Sequence, residues 1–99
     1  MSWDEFVTSV DEYQDEVAVV NKYGLHARPA LQLVDTANRF DCNITVANGD
    51  TEMDAKSIMS VMQLAATRGT RLRLRARGPN AKEAVAALKD LINSGFGEE

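Results

Sequence analysis

Thr70–Arg77 reads TRLRLRAR, an unbroken alternation in which Leu72, Leu74 and Ala76 point one way and Arg71, Arg73, Arg75 and Arg77 the other. A period of two belongs to a β-strand, whose successive side chains stand on opposite faces, so this strand has one buried side and one wetted side. A sheet built around it is covered on one face, and helices are the natural cover. Working backwards, NITVA at 43–47 also alternates, and Asn48-Gly49 is a favoured two-residue turn into a short partner strand at 51–54. Further back, EVAVV at 16–20 is β-branched and predicts a first strand that stops before Asn21-Lys22-Tyr23-Gly24.

The covering helices are legible between the strands. Ala30, Leu33, Val34 and Ala37 mark one face of a helix running to about Asn38, and Pro29 must lie in its first turn, where a missing N–H is no loss. Ser57 can cap the run IMSVMQLA through its hydroxyl, with Val61 and Leu64 facing the core and Thr67-Arg68-Gly69 ending it. After the break at Gly78-Pro79-Asn80, Asn80 and Glu83 have the spacing of a helix cap, and Ala84, Val85, Leu88, Leu91 and Ile92 form a stripe. Gly95 suits a left-handed C-terminal position, with Phe96 packing back. The result is an α+β order: a leading helix, then β-α-β-β-α-β-α.

Composition sets the class. Ninety-nine residues, 44% hydrophobic and 26% charged, make one globular domain. No apolar run approaches the ~18 residues of a membrane span, and the N-terminus has no basic start or apolar signal core, so the cytoplasm is the expected compartment without direct membrane insertion. The single Cys42 has no second cysteine or histidine with which to hold a metal, and neither a metal nor another cofactor is expected. Residues 1–16 carry six acids and no base, leaving nine acids against eleven bases in the remainder. The reading is therefore an acidic extension, 1–15, on a mildly basic domain, 16–99. Trp3, Phe6, Val7, Val10 and Tyr13 recur at helical spacing behind a Ser2/Glu5 capping box and predict a short helix over 3–13. Such a helix needs a surface to lie on, and the arginine face of the sheet is the candidate.

Pro29 places the one histidine, His26 in Gly24-Leu25-His26-Ala27-Arg28-Pro29-Ala30, at or next to a helix N-cap. A histidine there is ordinarily a capping or surface residue. Here the free amides of Ala27 and Arg28, the positive end of the helix dipole and the Arg28 guanidinium converge on one small volume and describe an anion site. The dipole and the cation disfavour the imidazolium, and a neutral ring in such a site is fit to accept a phosphoryl group.

With KSIM, Lys56–Met59, placing Ser57 31 positions after His26, GLHARPA resembles the histidine-containing phosphocarrier family HPr of the phosphotransferase system, over about residues 16–95. The resemblance implies an open-faced β-sandwich: a four-stranded antiparallel sheet with three helices on one face, here with a short N-terminal helical extension. It implies that His26 takes phosphate through Nδ1 from enzyme I and passes it to a IIA-type domain, with Arg28 binding the phosphate. Members with a serine at the position of Ser57 are phosphorylated there by a dedicated serine kinase, reversed by a phosphorylase, and read by a transcriptional regulator. Ile58, Met59 and Met62 would dock partners, with Leu25 at the rim. KSIM is similar to sugar-branch members, whereas Asn93-Ser94-Gly95-Phe96 resembles nitrogen-branch ones.

The leading expectation is a phosphoryl relay rather than an independent catalyst, since no second acid–base residue is evident beside His26. The alternative is a regulatory binding module whose working state is Ser57 phosphorylated, acting on a transcription factor or enzyme. A nucleic-acid role for the arginine strand is disfavoured, because no aromatic side chains interleave with it and the chain is net acidic at −4.

Overall fold

The computed structural model describes residues 12–98. Its elements are β1 (Glu12–Ala18), α1 (Ala27–Ala37), β2 (Asn43–Asn48), β3 (Thr51–Asp54), α2 (Ile58–Met62), β4 (Arg71–Arg77) and α3 (Ala81–Asn93), closed by a 3-10 turn at Gly95–Gly97. The four strands form one antiparallel sheet in the order β1-β4-β2-β3. This is the expected open-faced architecture, with the alternating strand β4 at its centre.

Leu72, Leu74 and Ala76 of β4, Ile44 and Val46 of β2 and Val17 of β1 join one core with Leu33 and Val34 of α1, Val61 of α2 and Val85, Leu88 and Ile92 of α3. Each of the larger side chains, fully buried, contributes about 1.5–3 kcal/mol through removal of apolar surface from water. The opposite face is charged. Arg71 pairs with Glu16 at 3.0 Å, and Arg75 reaches Glu12 at 3.3 Å and Glu52 at 3.7 Å. The arginine stripe is thus a solvated face on which Arg71 and Arg75 are answered by carboxylates of β1 and β3, while Arg73 reaches the Gly49 carbonyl at 3.5 Å.

Four local expectations are corrected. The helix over 3–13 lies outside the described residues except for Glu12 and Tyr13, and these two belong to a strand. So β1 starts at Glu12 rather than at residue 16, and 12–15 are part of the sheet. Tyr13 fits a period of 3.6 with Val10 and a period of two with Val17, and cross-strand pairing decides between them. Glu12, Gln14 and Glu16 lie opposite Arg77, Arg75 and Arg73 of β4. The idea that the acidic extension covers the arginine face falls on residues outside the described ones.

The β2–β3 turn is displaced by one residue, since Asn48 pairs with Thr51 and the loop is Gly49-Asp50. Gly49, at φ +60°, occupies the first loop position, where a type II′ turn asks for glycine. The helix α2 is only five residues long and gives way at Gln63, well short of Thr67. Asn80 is the N-cap of α3 but makes no side-chain cap bond; at φ 61° it supplies the left-handed backbone that asparagine tolerates better than most residues.

Candidate functional site

The turn before α1 is held from both sides. Gly24 has φ +66°, and a Cβ there would stand 2.3 Å from the carbonyl oxygen of Ala66, so only glycine lets the two segments approach this closely. That approach is used: the Leu25 amide donates to the same Ala66 oxygen at 3.0 Å. Asn21, 2% exposed, donates from Nδ2 to the Gly24 carbonyl at 2.8 Å. The following residue, His26, is therefore delivered in a fixed direction.

His26 is the N-cap of α1, with extended backbone (φ −71°, ψ −177°), and its carbonyl accepts the first helical bond from Ala30 at 3.0 Å. Its side chain makes no cap bond and stays 41% exposed. The first amides of a helix have no intrahelical acceptor, and Pro29 has no N–H, so the open donors at this end are those of Ala27 and Arg28. Both residues are exposed. The half-exposed ring at the helix start is thus followed directly by two exposed residues whose amides are open.

The ring has a partner that the sequence did not reveal. Nε2 of His26 lies 3.0 and 3.2 Å from the two carboxylate oxygens of Glu98, 72 residues away. Asn21 Nδ2 also donates to Glu98 Oε1, at 3.1 Å. The His26 ring and the Asn21 amide hold the Glu98 carboxyl below the ordinary carboxylate range, with the Arg28 charge adding to the effect and desolvation opposing it. The expectation that no acid stands beside His26 is thereby corrected, and the environment of the ring is mixed: cationic from the helix and Arg28, anionic from Glu98. Tyr23 stands edge-on to the ring at 6.2 Å between centroids, with Lys22 Nζ 5.3 Å from the Tyr23 ring. Among the described residues, no group of three or more acidic, histidine or cysteine side chains is placed to hold a metal ion.

The pairing of Glu98 with His26 is not legible in the sequence because the two residues are remote along the chain. Gly95, with φ +68°, turns the chain after α3; Phe96 is buried; and Gly95 itself lies against Val20 and Asn21. The expected Gly95/Phe96 reversal was the available signal. It gave the turn without its destination.

The second predicted position is built on α2. Ser57 is its N-cap, and its Oγ accepts from the Ser60 amide at 3.3 Å. The approach is fixed by the Lys56 amide donating to Asp54 Oδ1 at 2.9 Å and by Lys56 Nζ donating to the Phe40 carbonyl, just beyond the end of α1, at 2.6 Å. Ile58, Met59 and Met62 are exposed, Met59 by 71%, while Val61 and Leu64 are buried as expected. Leu25 is not at the rim of this patch. It is 6% exposed and belongs to the core, because the extended backbone that turns His26 outward turns its neighbour inward.

Comparison with known proteins gives a consistent answer. Residues 13–94 match the sequence model of the family described as PTS HPr component phosphorylation site. The phosphocarrier protein HPr of Pseudomonas aeruginosa is 46% identical over 84 residues, covering 84% of this chain and 93% of that protein. The phosphocarrier protein NPr of Escherichia coli is 38% identical over 84 residues, with the same 84% and 93% coverage. The crystal structure of HPr-C-His from Thermoanaerobacter tengcongensis superposes with a TM-score of 0.85 at 44% identity, covering 88% of this chain and 98% of that one.

Proposed function

The chain belongs to the HPr family, the phosphocarrier proteins of the phosphotransferase system, and on that premise we propose that His26 carries the phosphoryl group, taken from enzyme I and handed to a IIA-type domain. The observation that carries this reading is the start of α1, where a half-exposed imidazole stands at a helix end beside open amides and an exposed Arg28. In the transfer a ring nitrogen forms the bond to phosphorus while the donor's bond to phosphorus breaks, and the electron pair returns to the donor. The amides and the Arg28 guanidinium stabilise the phosphoryl oxygens on both sides of that exchange. Delivery to the acceptor is the same step reversed, which makes the protein a relay that ends each cycle unchanged.

Incubation with enzyme I and labelled phosphoenolpyruvate is expected to give an acid-labile, base-stable adduct that His26→Ala does not form. Label persisting in that variant would reject the assignment. The exposed Ile58, Met59 and Met62 supply an apolar docking surface close to Ser57, and thioether side chains adapt to differently shaped partners. The cytoplasm belongs to the same proposal; among the described residues no helix is long and apolar enough to cross a membrane.

A regulatory reading is favoured by one observation, the position of Ser57 beside that exposed patch, with its hydroxyl committed only to a 3.3 Å bond. A phosphate there would add about −1.5 to −2 charge to the surface that partners approach. A serine kinase and a phosphorylase would set that state, and a transcription factor or enzyme would read it. Pull-down of such a regulator by the Ser57-phosphorylated protein, and not by the unmodified one, is the expected result.

A further inference from the structure

We propose that Glu98 is a positioning residue for the phosphoryl transfer: from the tail of the chain it holds His26 as the Nε2–H tautomer and so leaves Nδ1 as the nucleophilic nitrogen. The inference rests on the reading of His26 as the phosphoryl acceptor and adds to it a residue and a reason for which ring atom reacts.

A neutral imidazole has one N–H and one lone pair, and its hydrogen-bond partner decides which nitrogen has which. An ionised carboxylate can only accept. With both Glu98 oxygens within 3.2 Å of Nε2, the proton of a neutral His26 belongs on Nε2. Among the described residues Nδ1 has no hydrogen-bond partner, so its lone pair is free.

The carboxylate is itself held in place. Asn21 donates from one buried amide nitrogen both to the Gly24 carbonyl, in the turn that delivers His26, and to Glu98. The tail is anchored by buried Phe96, and the Glu98 amide donates to the Gly95 carbonyl at 2.9 Å. When Nδ1 bonds to phosphorus, the ring gains positive charge while its remaining N–H already points at an anion. No proton has to move, and the charge that develops is met where it forms. On delivery the acceptor's nucleophile bonds to phosphorus as the N–P bond breaks, the N–P electron pair returns to Nδ1, and the tautomer is restored.

The test uses the full chain with ¹⁵N-labelled histidine, at a pH where the ring is neutral. Ring nitrogen shifts of the wild type are expected to report Nε2–H. Glu98→Gln presents an amide that can either donate or accept, so it should give a mixture of tautomers. Single-turnover acceptance from charged enzyme I should then fall about tenfold, the lower end of the loss found when the partner that orients a metal-ligating histidine is removed. Label should also partition between the two ring nitrogens, a result that a merely structural role would not produce. Glu98→Ala provides a second variant, with thermal melts confirming that each remains folded.

A wild-type ring protonated on Nδ1, or a Glu98→Gln protein with wild-type tautomer and rate, overturns the proposal. The tautomer is read without any phosphoryl donor. Its failure is therefore distinct from failure of the His26 assignment, which would show as label retained by His26→Ala.

Discussion

The two helix starts that bear candidate phosphorylation sites are built in opposite ways. At α1 the N-cap side chain turns away from its own helix and is held by Glu98, leaving the amides of Ala27 and Arg28 open. At α2 the N-cap Ser57 turns inward and occupies the Ser60 amide itself. The first helix has eleven residues and the second five, so the aligned peptide dipoles behind His26 outnumber those behind Ser57. At α1 a residue from the tail of the chain fixes the N-cap side chain and the helix amides stay open, whereas at α2 the N-cap hydroxyl itself closes the helix through one long bond.

The strongest way to break the α1 start is Gly24→Ala. The new methyl group meets the Ala66 carbonyl at 2.3 Å and the Thr67 Cα at 2.8 Å, with the backbone at φ +66°. Strain of the left-handed residue and overpacking together predict a loss of about 3 kcal/mol, read from urea denaturation, together with impaired phosphoryl acceptance. Wild-type stability would mean that the close approach does not fix the turn.

Arg28→Ala acts at the same start without touching the fold, since the side chain is exposed. Acceptance by His26 should fall about 10–100-fold, the equivalent of losing one hydrogen bond to a charged group, while the melting temperature stays close to wild type. An undiminished rate would leave the helix amides as the whole anion site and sharpen the role of α1 accordingly.

At α2 the expected effects are smaller and differ in kind. Ser57→Ala removes a cap whose bond is already long, costing about 0.5–1 kcal/mol. Ser57→Asp keeps a capping oxygen and places its charge favourably for the helix, so its stability should lie above that of the alanine variant. If the two melt alike, the Ser57–Ser60 bond does not close the helix and the contrast between the starts is lost.

What the sequence disclosed of these starts follows the reach of the interactions that build them. The alternation Leu72-Arg73-Leu74-Arg75 and the proline at Pro29 are local constraints, so the central strand and the place of His26 could be read directly. Tyr13 satisfied two periodicities, and only the arginines across the sheet chose between them. Position in the sequence groups Leu25 with exposed residues, whereas the extended backbone at His26 sends adjacent side chains opposite ways and buries it. Glu98 was invisible because a pairing over 72 residues depends on the path of the whole tail, and Gly95 announces a reversal without saying what it meets.

The smallest expected effect lies away from both starts and separates their electrostatics from those of the sheet. Asp15 of β1 accepts from Lys89 Nζ of α3 at 2.8 Å. That bond, helped by the Glu16 amide, holds the Asp15 carboxyl below its ordinary value, while Asp15 raises the Lys89 ammonium above its own. A depressed carboxylate contributes stability above its unfolded pKa, near 4, and loses it as pH falls through the lower folded value. A raised ammonium contributes below its unfolded pKa, near 10.4, and loses it as pH rises through the higher folded value. The pair therefore acts across the neutral range and fades at both extremes, weakly, because both side chains are 37% exposed. Glu98 follows the same acid-side rule through His26 and Asn21. Melting curves from neutral pH down to about 3 should become less steep with pH in Asp15→Asn, with transfer at His26 unchanged, and less steep again when Glu98→Gln is added. An Asp15→Asn protein with the wild-type pH dependence would assign the acid sensitivity to the α1 start alone.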